Sequence, residues 1–244
     1  MMNTMIELAL ENLRYSTPNL TDNERYVNVK NRPIPSVTEI IHKMVHSDTL
    51  MRWSNSIGLK GIVYDKYMEE ASSFGTKAHA CIERYIKLKE KTDSNIPFRG
   101  FMLWYNTLIN NGHQVEFLGS EMKITCPWFG GTLDLMVKID GKVYLVDFKT
   151  SNHVSSNYFL QLGGYKYLVE RELNIIIDGG VIVLQLNKRV PGFNEYILLM
   201  DINEHRIFIE KAQQAFVSLV YAYYQVVGVN NCFNKTFNTQ GGYI

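Results

Sequence analysis

The run GGTLDLMVKIDGKVYLVDFK, residues 130–149, carries two carboxylates and a lysine at a spacing that suits phosphoryl chemistry. Asp140-Gly141 is a favoured pair for a two-residue type I′ turn, which predicts a hairpin with Ile139 facing Lys142. Stepping back along both strands puts Asp134 directly opposite Asp147, with Cβ atoms about 4.5–5.5 Å apart, and Thr132 opposite Lys149. Lys149, two residues after Asp147, projects from the same face. Two carboxylates that close repel unless a cation lies between them, so neutralising either acid should relieve the metal-free fold. Oxygen ligands of this kind suit Mg²⁺ or Mn²⁺. Such an ion polarises a phosphate and lowers the pKa of a bound water, while the lysine orients that water or stabilises the charge that develops on phosphorus. A bare D-x-K is also what exposed strand charges look like. Here Leu133, Leu135, Val146 and Phe148 flank the charges, and a charge inside an apolar strand is costly unless it is used.

Further candidates lie on either side. Upstream, FGTKAHACIERY puts His79 and Glu83 four residues apart on one helix face. An imidazole nitrogen would complete the shell of a borderline cation such as Mn²⁺, although a lone helical histidine serves equally well as a structural or surface group. Downstream, Gln161 and Tyr165 are also four apart on a helix face. Glu121 lies on the strand before the hairpin, where a glutamate is usually just the solvated face. Aromatics near the motifs could stack nucleobases, at about 1–3 kcal/mol per base. Trp104 and Tyr105 read as helix core, whereas Trp128-Phe129, in the loop before Gly130-Gly131, is the better stacking candidate.

These residues must be positioned by regular elements. Ser36-Val37-Thr38-Glu39 has the form of a capping box and opens a short helix to about residue 44. Small and apolar residues at Ala71, Phe74, Ala78, Ile82, Tyr85 and Ile86 predict a helix over 64–91, and residues 97–110 predict another. Strands are expected over 115–125, 132–139, 142–148, 180–186 and 196–200, with helices over 156–170 and 203–227. Residues 1–35 are polar and broken by Pro18, Pro33 and Pro35, and read as an N-terminal arm rather than a core element. Residues 36–244 then form one α/β domain, helical over 36–110 and sheet-containing over 111–244.

Composition narrows the classes. The chain has 244 residues, 46% hydrophobic and 20% charged, a globular balance that excludes a disordered or fibrous protein. Twenty-five Lys+Arg against twenty-four Asp+Glu leave a net charge of +1, so a polyanion would have to be held by a local patch. Three scattered cysteines, Cys81, Cys126 and Cys232, fit neither a disulfide framework nor a four-thiolate cluster, and favour a reducing, cytoplasmic compartment. No apolar run approaches the ~18–20 residues of a membrane span, and the start MMNTMIELALEN lacks the basic region of a signal peptide.

Taken in order, G-T-x-x-H-x-x-x-E, G-G-T-L-D, V-D-F-K-T and Q-L-x-x-Y, over residues 74–168, resemble the RecB-like branch of the PD-(D/E)XK nuclease superfamily. The pattern is similar to that of phage exonucleases and the mitochondrial genome maintenance exonuclease, whose PSVTEII-like segment also has a counterpart at residues 35–41. The resemblance implies a restriction-endonuclease-like core, a central mixed β-sheet flanked by helices, with a helical N-terminal region. It implies His79, Asp134, Asp147 and the Phe148 carbonyl as ligands of Mg²⁺ or Mn²⁺, with Glu83 and Glu121 as further acids. By the same resemblance Lys149 is the catalytic lysine, and Gln161 and Tyr165 lie beside the catalytic centre and the nucleic acid. Asp147 stands where the family usually has Glu, and the cysteines of an iron–sulfur cluster are absent, so that cofactor is not expected. The function so implied is a metal-dependent DNA exonuclease acting on single-stranded or free ends, of phage or bacterial origin. A structure-specific endonuclease on the same core and a non-catalytic nucleic-acid-binding module are the alternatives.

Overall fold

The computed structural model describes residues 26–28, 30–46, 48–92 and 94–237, with side chains throughout except at 48–50 and 231–237. Four helices come first: α1 (Val37–Met44), α2 (Asp48–Gly58), α3 (Tyr64–Leu88) and α4 (Ile96–Asn110). Strands β1 (Val115–Thr125), β2 (Gly130–Ile139) and β3 (Lys142–Lys149) follow, then helix α5 (Ser156–Glu172), strands β4 (Gly180–Leu186) and β5 (Phe193–Leu199), and helix α6 (Asn203–Phe237). The five strands form one sheet in the order β1-β2-β3-β4-β5, antiparallel except for the parallel β3–β4 pair. That pair is joined by the α5 crossover, as parallel neighbours require. The architecture is therefore α/β with a mixed sheet flanked by helices.

Apolar clusters fill both faces of the sheet. On one, Leu133, Met136, Leu145, Val181 and Val183 pack against Val37 and Ile40 of α1, Leu162 and Leu168 of α5, and Phe216 and Val220 of α6. On the other, Leu135, Val137, Val146, Ile182 and Leu184 pack against Ile82 and Tyr85 of α3 and Phe98, Phe101 and Trp104 of α4. Burial on both sides is why VIVL in β4 and VYLVDF in β3 read as nearly unbroken apolar runs. Local signals set the helix starts. Ser36 accepts from Glu39 N at 3.0 Å, Asn95 accepts from Phe98 N at 2.8 Å, and Ser155 accepts from Asn157 N.

The structure departs from the sequence expectations in several places, among them β5, which runs Phe193–Leu199 where 196–200 was expected. Helix α2 was not expected, although Leu50, Trp53 and Ile57 keep helical spacing and the segment opens on Asp48. Helix α6 runs to Phe237 instead of 227. Residues 1–25 and 29 of the expected arm lie outside the described residues, but Tyr26 and Ile34 are buried, and Tyr26 OH meets Thr132 Oγ1 at 2.8 Å, so part of this segment joins the core. Pro33 and Pro35 break the local helix as read, yet the segment turns back on itself, with Ile34 N donating to Tyr26 O and the Pro35 carbonyl accepting from Gly130 N. Among the described residues no helix is long and apolar enough to cross a membrane.

Candidate functional site

The β2–β3 turn forms as the sequence predicts. Asp140 (φ 50°) and Gly141 (φ 84°) both take left-handed backbone, and Ile139 pairs with Lys142. The predicted register holds through Val137–Tyr144 and Met136–Leu145 to Leu135–Val146. There the ladder stops, so Asp134 and Asp147 lie beyond the last pair instead of forming one, and Thr132 and Lys149 likewise. Asp134 turns aside: its Oδ2 accepts from Phe148 N at 2.7 Å, in the place of a further rung. The pleat of β2 breaks with it, since Leu133 and Met136 enter the same core although they are three residues apart.

Strand β1 brings a third acid. Its register slips between Phe117 and Gly119, a bulge, and then runs Ser120–Leu135 and Met122–Leu133, which leaves Glu121 across from Asp134. Glu121 takes φ 50°, left-handed backbone that costs a non-glycine residue about 1–3 kcal/mol and persists where the surroundings hold it. His79 arrives from α3. Its Nδ1 lies 3.1 Å from Glu121 Oε1 and 3.4 Å from Asp134 Oδ1, and its ring meets the edge of Phe148 at 5.7 Å between centroids. One ligand atom each from His79, Glu121 and Asp134 falls within 4.8 Å of the others.

Asp147, Lys149 and Gln161 form the adjoining group. Asp147 is fully buried, and its Oδ1 accepts from Lys149 Nζ at 2.8 Å and from Gln161 Nε2 at 3.0 Å. Its Oδ2 stands 2.7 Å from the ammonium as an ion pair but has no aligned hydrogen-bond donor. Gln161 also accepts from Lys149 Nζ at 3.2 Å and donates to Tyr165 OH at 3.0 Å. These partners come from β3 and α5, which the crossover lays side by side.

Burial and charge work against each other here. Burial alone would lower the His79 pKa, but Asp134 and Glu121 outweigh it and raise it to about 10. Burial pushes Asp134 up, and the His79 cation, the Lys149 ammonium and the Phe148 N–H more than reverse it, so Asp134 sits below the ordinary carboxylate range. Asp147 goes the other way. Burial dominates, and with the nearby Asp134 charge it lifts the carboxyl to about 7 despite Lys149. Lys149 is held above its ordinary value by the two acids against the effect of burial.

Several expected residues fall elsewhere. Trp128 and Phe129 are not stacking platforms. Both are 1% exposed, Trp128 lies under the Arg171 guanidinium at 4.5 Å, and Phe129 packs on Tyr167 and Phe216. Their loop is roofed by α6, whose Tyr224 hydroxyl donates to Trp128 O. Trp104 is core, as read, with its indole N–H donating to Glu195 Oε1. Tyr165 lies beside Gln161 but is 4% exposed, so it supports the centre from behind and offers nucleic acid no face. Glu83 is outside the acid group, four residues on from His79 and paired with Lys87 in an exposed ion pair. Glu121, a strand acid read as usually just the solvated face, is inside it. Sequence reasoning missed Tyr158 and Gln185. The one signal for Gln185 was a lone polar residue in the buried run of β4.

A resident divalent cation fits this donor set. One imidazole nitrogen and two carboxylates converge, and the buried Asp147 Oδ2 lacks a hydrogen-bond donor, the condition a further cation-binding oxygen would leave behind. No family model matches the chain, and no curated protein matches it. A solved structure titled "Crystal structure of SSO0001" aligns with 89% of this chain and 85% of that chain at 12% identity, with a TM-score of 0.34, a likeness too slight to bear on function.

Proposed function

We propose that this chain is a metal-dependent deoxyribonuclease with a PD-(D/E)XK, restriction-endonuclease-like core, hydrolysing phosphodiester bonds from free, preferentially single-stranded ends. The observation that carries the reading is the fully buried Asp147 with both Lys149 and Gln161 on its Oδ1, beside a convergent His79–Glu121–Asp134 group. Buried charge on this scale is a stability cost unless chemistry uses it.

His79, Glu121 and Asp134 would hold Mg²⁺ or Mn²⁺, with Asp147 Oδ2 as a further oxygen. When bound, such an ion supplies Lewis-acid activation of phosphate and of water. Lys149 keeps its proton at neutral pH and offers an N–H to the attacking water or to the charged phosphate oxygens. Gln161 fixes Asp147 Oδ1 and the ammonium together, so neither has to reorganise during the reaction. Tyr165 in turn fixes the Gln161 amide.

The test is a cleavage assay on end-labelled linear and closed circular single-stranded DNA, each with Mg²⁺, Mn²⁺ or EDTA. Metal-dependent loss of the linear strand with the circle intact is the expected result. Cutting of the circle would make the enzyme an endonuclease, and robust cleavage in EDTA would end the metal mechanism. Binding of DNA without cleavage in any metal would leave a nucleic-acid-binding module.

A further inference from the structure

Lys149 is held by more than its acid. Beyond Asp147 and Gln161, its ammonium lies 4.9 Å from the centre of the Tyr158 ring. An ammonium has three N–H donors, and Asp147 Oδ1 and Gln161 Oε1 engage two of them. A ring face attracts the cation without accepting its proton as a carboxylate does. Tyr158 stands in the first turn of α5, and its hydroxyl donates to Ser151 Oγ at 3.0 Å. The Ser151 carbonyl accepts from Gln185 Nε2 at 2.7 Å, and Gln185 Oε1 accepts from Asn194 Nδ2 at 3.0 Å. Gln185 is buried and is the register partner of Lys149 in the parallel pair. A line of hydrogen bonds thus runs from β5 through β4 and the loop after β3 to the ring that faces the ammonium. A buried glutamine among Leu184, Leu186 and Val183 is costly unless both ends of its amide are used, and here both are.

We propose that Tyr158 is a positioning residue for Lys149, its ring fixed by the Ser151–Gln185–Asn194 line so that the ammonium keeps one place and one donor for the substrate. The catalytic consequence rests on the reading of Lys149 given above; the anchoring of the side chain does not.

Lysine Cε–Hε resonances of the full chain read the anchoring without any need for activity, with the Lys149 peak assigned by its disappearance in Lys149→Arg. Protons over a ring face shift upfield, so the wild-type peak should stand apart from the other lysines, the Tyr158→Leu peak should fall back among them, and the Tyr158→Phe peak, its ring kept but its bond to Ser151 lost, should move part of the way. Gln185→Leu should move the peak part of the way, and the exposed Asn194→Ala should do the same if the buried variant does not fold. In the cleavage assay Tyr158→Leu should lower kcat about tenfold with KM within about twofold, while Tyr158→Phe stays within about threefold of wild type. A wild-type Lys149 peak among the bulk lysines, or an unchanged kcat in Tyr158→Leu, overturns the positioning role. A wild type that cleaves nothing overturns the nuclease reading instead, and the resonance then decides the anchoring by itself.

Discussion

The Phe148 backbone N–H donates to Asp134 Oδ2 at 2.7 Å, immediately past the last rung of the β2–β3 ladder. One carboxylate oxygen thus closes the gap where the strands part, which leaves the other, 3.4 Å from His79 Nδ1, facing the candidate cation site. Asp134 is at once a piece of sheet and a ligand candidate, and its loss should show in both roles.

Asp134→Asn should abolish cleavage and also lower the stability of the metal-free protein, by on the order of 2 kcal/mol, because it removes a buried charged acceptor. Melting curves in EDTA and in Mn²⁺ separate the roles. Mn²⁺ should raise the wild-type Tm by the linkage RT ln(1 + [L]/Kd) and leave the variant nearly unmoved. An equal rise in both would remove Asp134 from the ligand set.

His79 gives a pH signature. Its folded pKa of about 10 lies above the ordinary 6.5, so its ion contacts stabilise the metal-free protein fully below pH 6.5 and are lost as pH rises through 10. A cation bound to its nitrogen must displace the proton, so metal affinity should rise about tenfold per pH unit through the neutral range. Calorimetry in two buffers of different ionisation enthalpy, at about pH 8.5 where Asp147 is already ionised, should find about one proton released per Mn²⁺ in the wild type and none in His79→Gln. PH-independent Mn²⁺ affinity in the wild type would show that His79 does not bind the ion.

Lys149→Ala should lower turnover by about 10²–10³, the usual scale for removing one preorganised donor, while DNA affinity stays within about twofold. Filter binding in Ca²⁺ alongside the cleavage assay reads both. Equal losses of binding and turnover would make Lys149 a phosphate clamp.

Trp128→Ala should cost roughly 3–5 kcal/mol of stability, the range for emptying a buried tryptophan site, with no change in single-strand affinity of the folded protein. Urea unfolding and strand binding at low temperature check the two halves. Lost affinity with intact stability would return Trp128 to the nucleic-acid surface.

The hairpin was legible because its information is local: Asp140-Gly141 sets the turn, and the turn sets the register. What lay at its open end was not, because other elements decide it. Opposition of Asp134 and Asp147 suggested shared repulsion. Instead His79, supplied by α3, holds Asp134 ionised, and the strain falls on Asp147, raised to about 7 mainly by burial. Glu121 enters through a bulge and a left-handed residue in β1; Gly119 in VEFLGSEMKIT is a mark of the bulge, but the left-handed backbone at Glu121 leaves none. Glu83 shares a helix face with His79, yet it pairs with Lys87 and lies outside the acid group, so spacing along a helix did not decide which acid joins the histidine. Trp128 and Phe129 looked like loop aromatics because the helix that roofs them, α6, lies some ninety residues later in the sequence.

The parallel β3–β4 pair has a consequence for synthesis. Strand β3 carries Asp147 and Lys149 but stays at the margin of the growing sheet until Gly180–Leu186 leaves the ribosome and pairs with it. Through that interval VYLVDF is a bare, β-branched edge with a single acid, open to pairing with another chain. The segment that carries Asp147 and Lys149 is thus open to pairing with another chain while the protein is being made, and β4 covers it only once the crossover is complete.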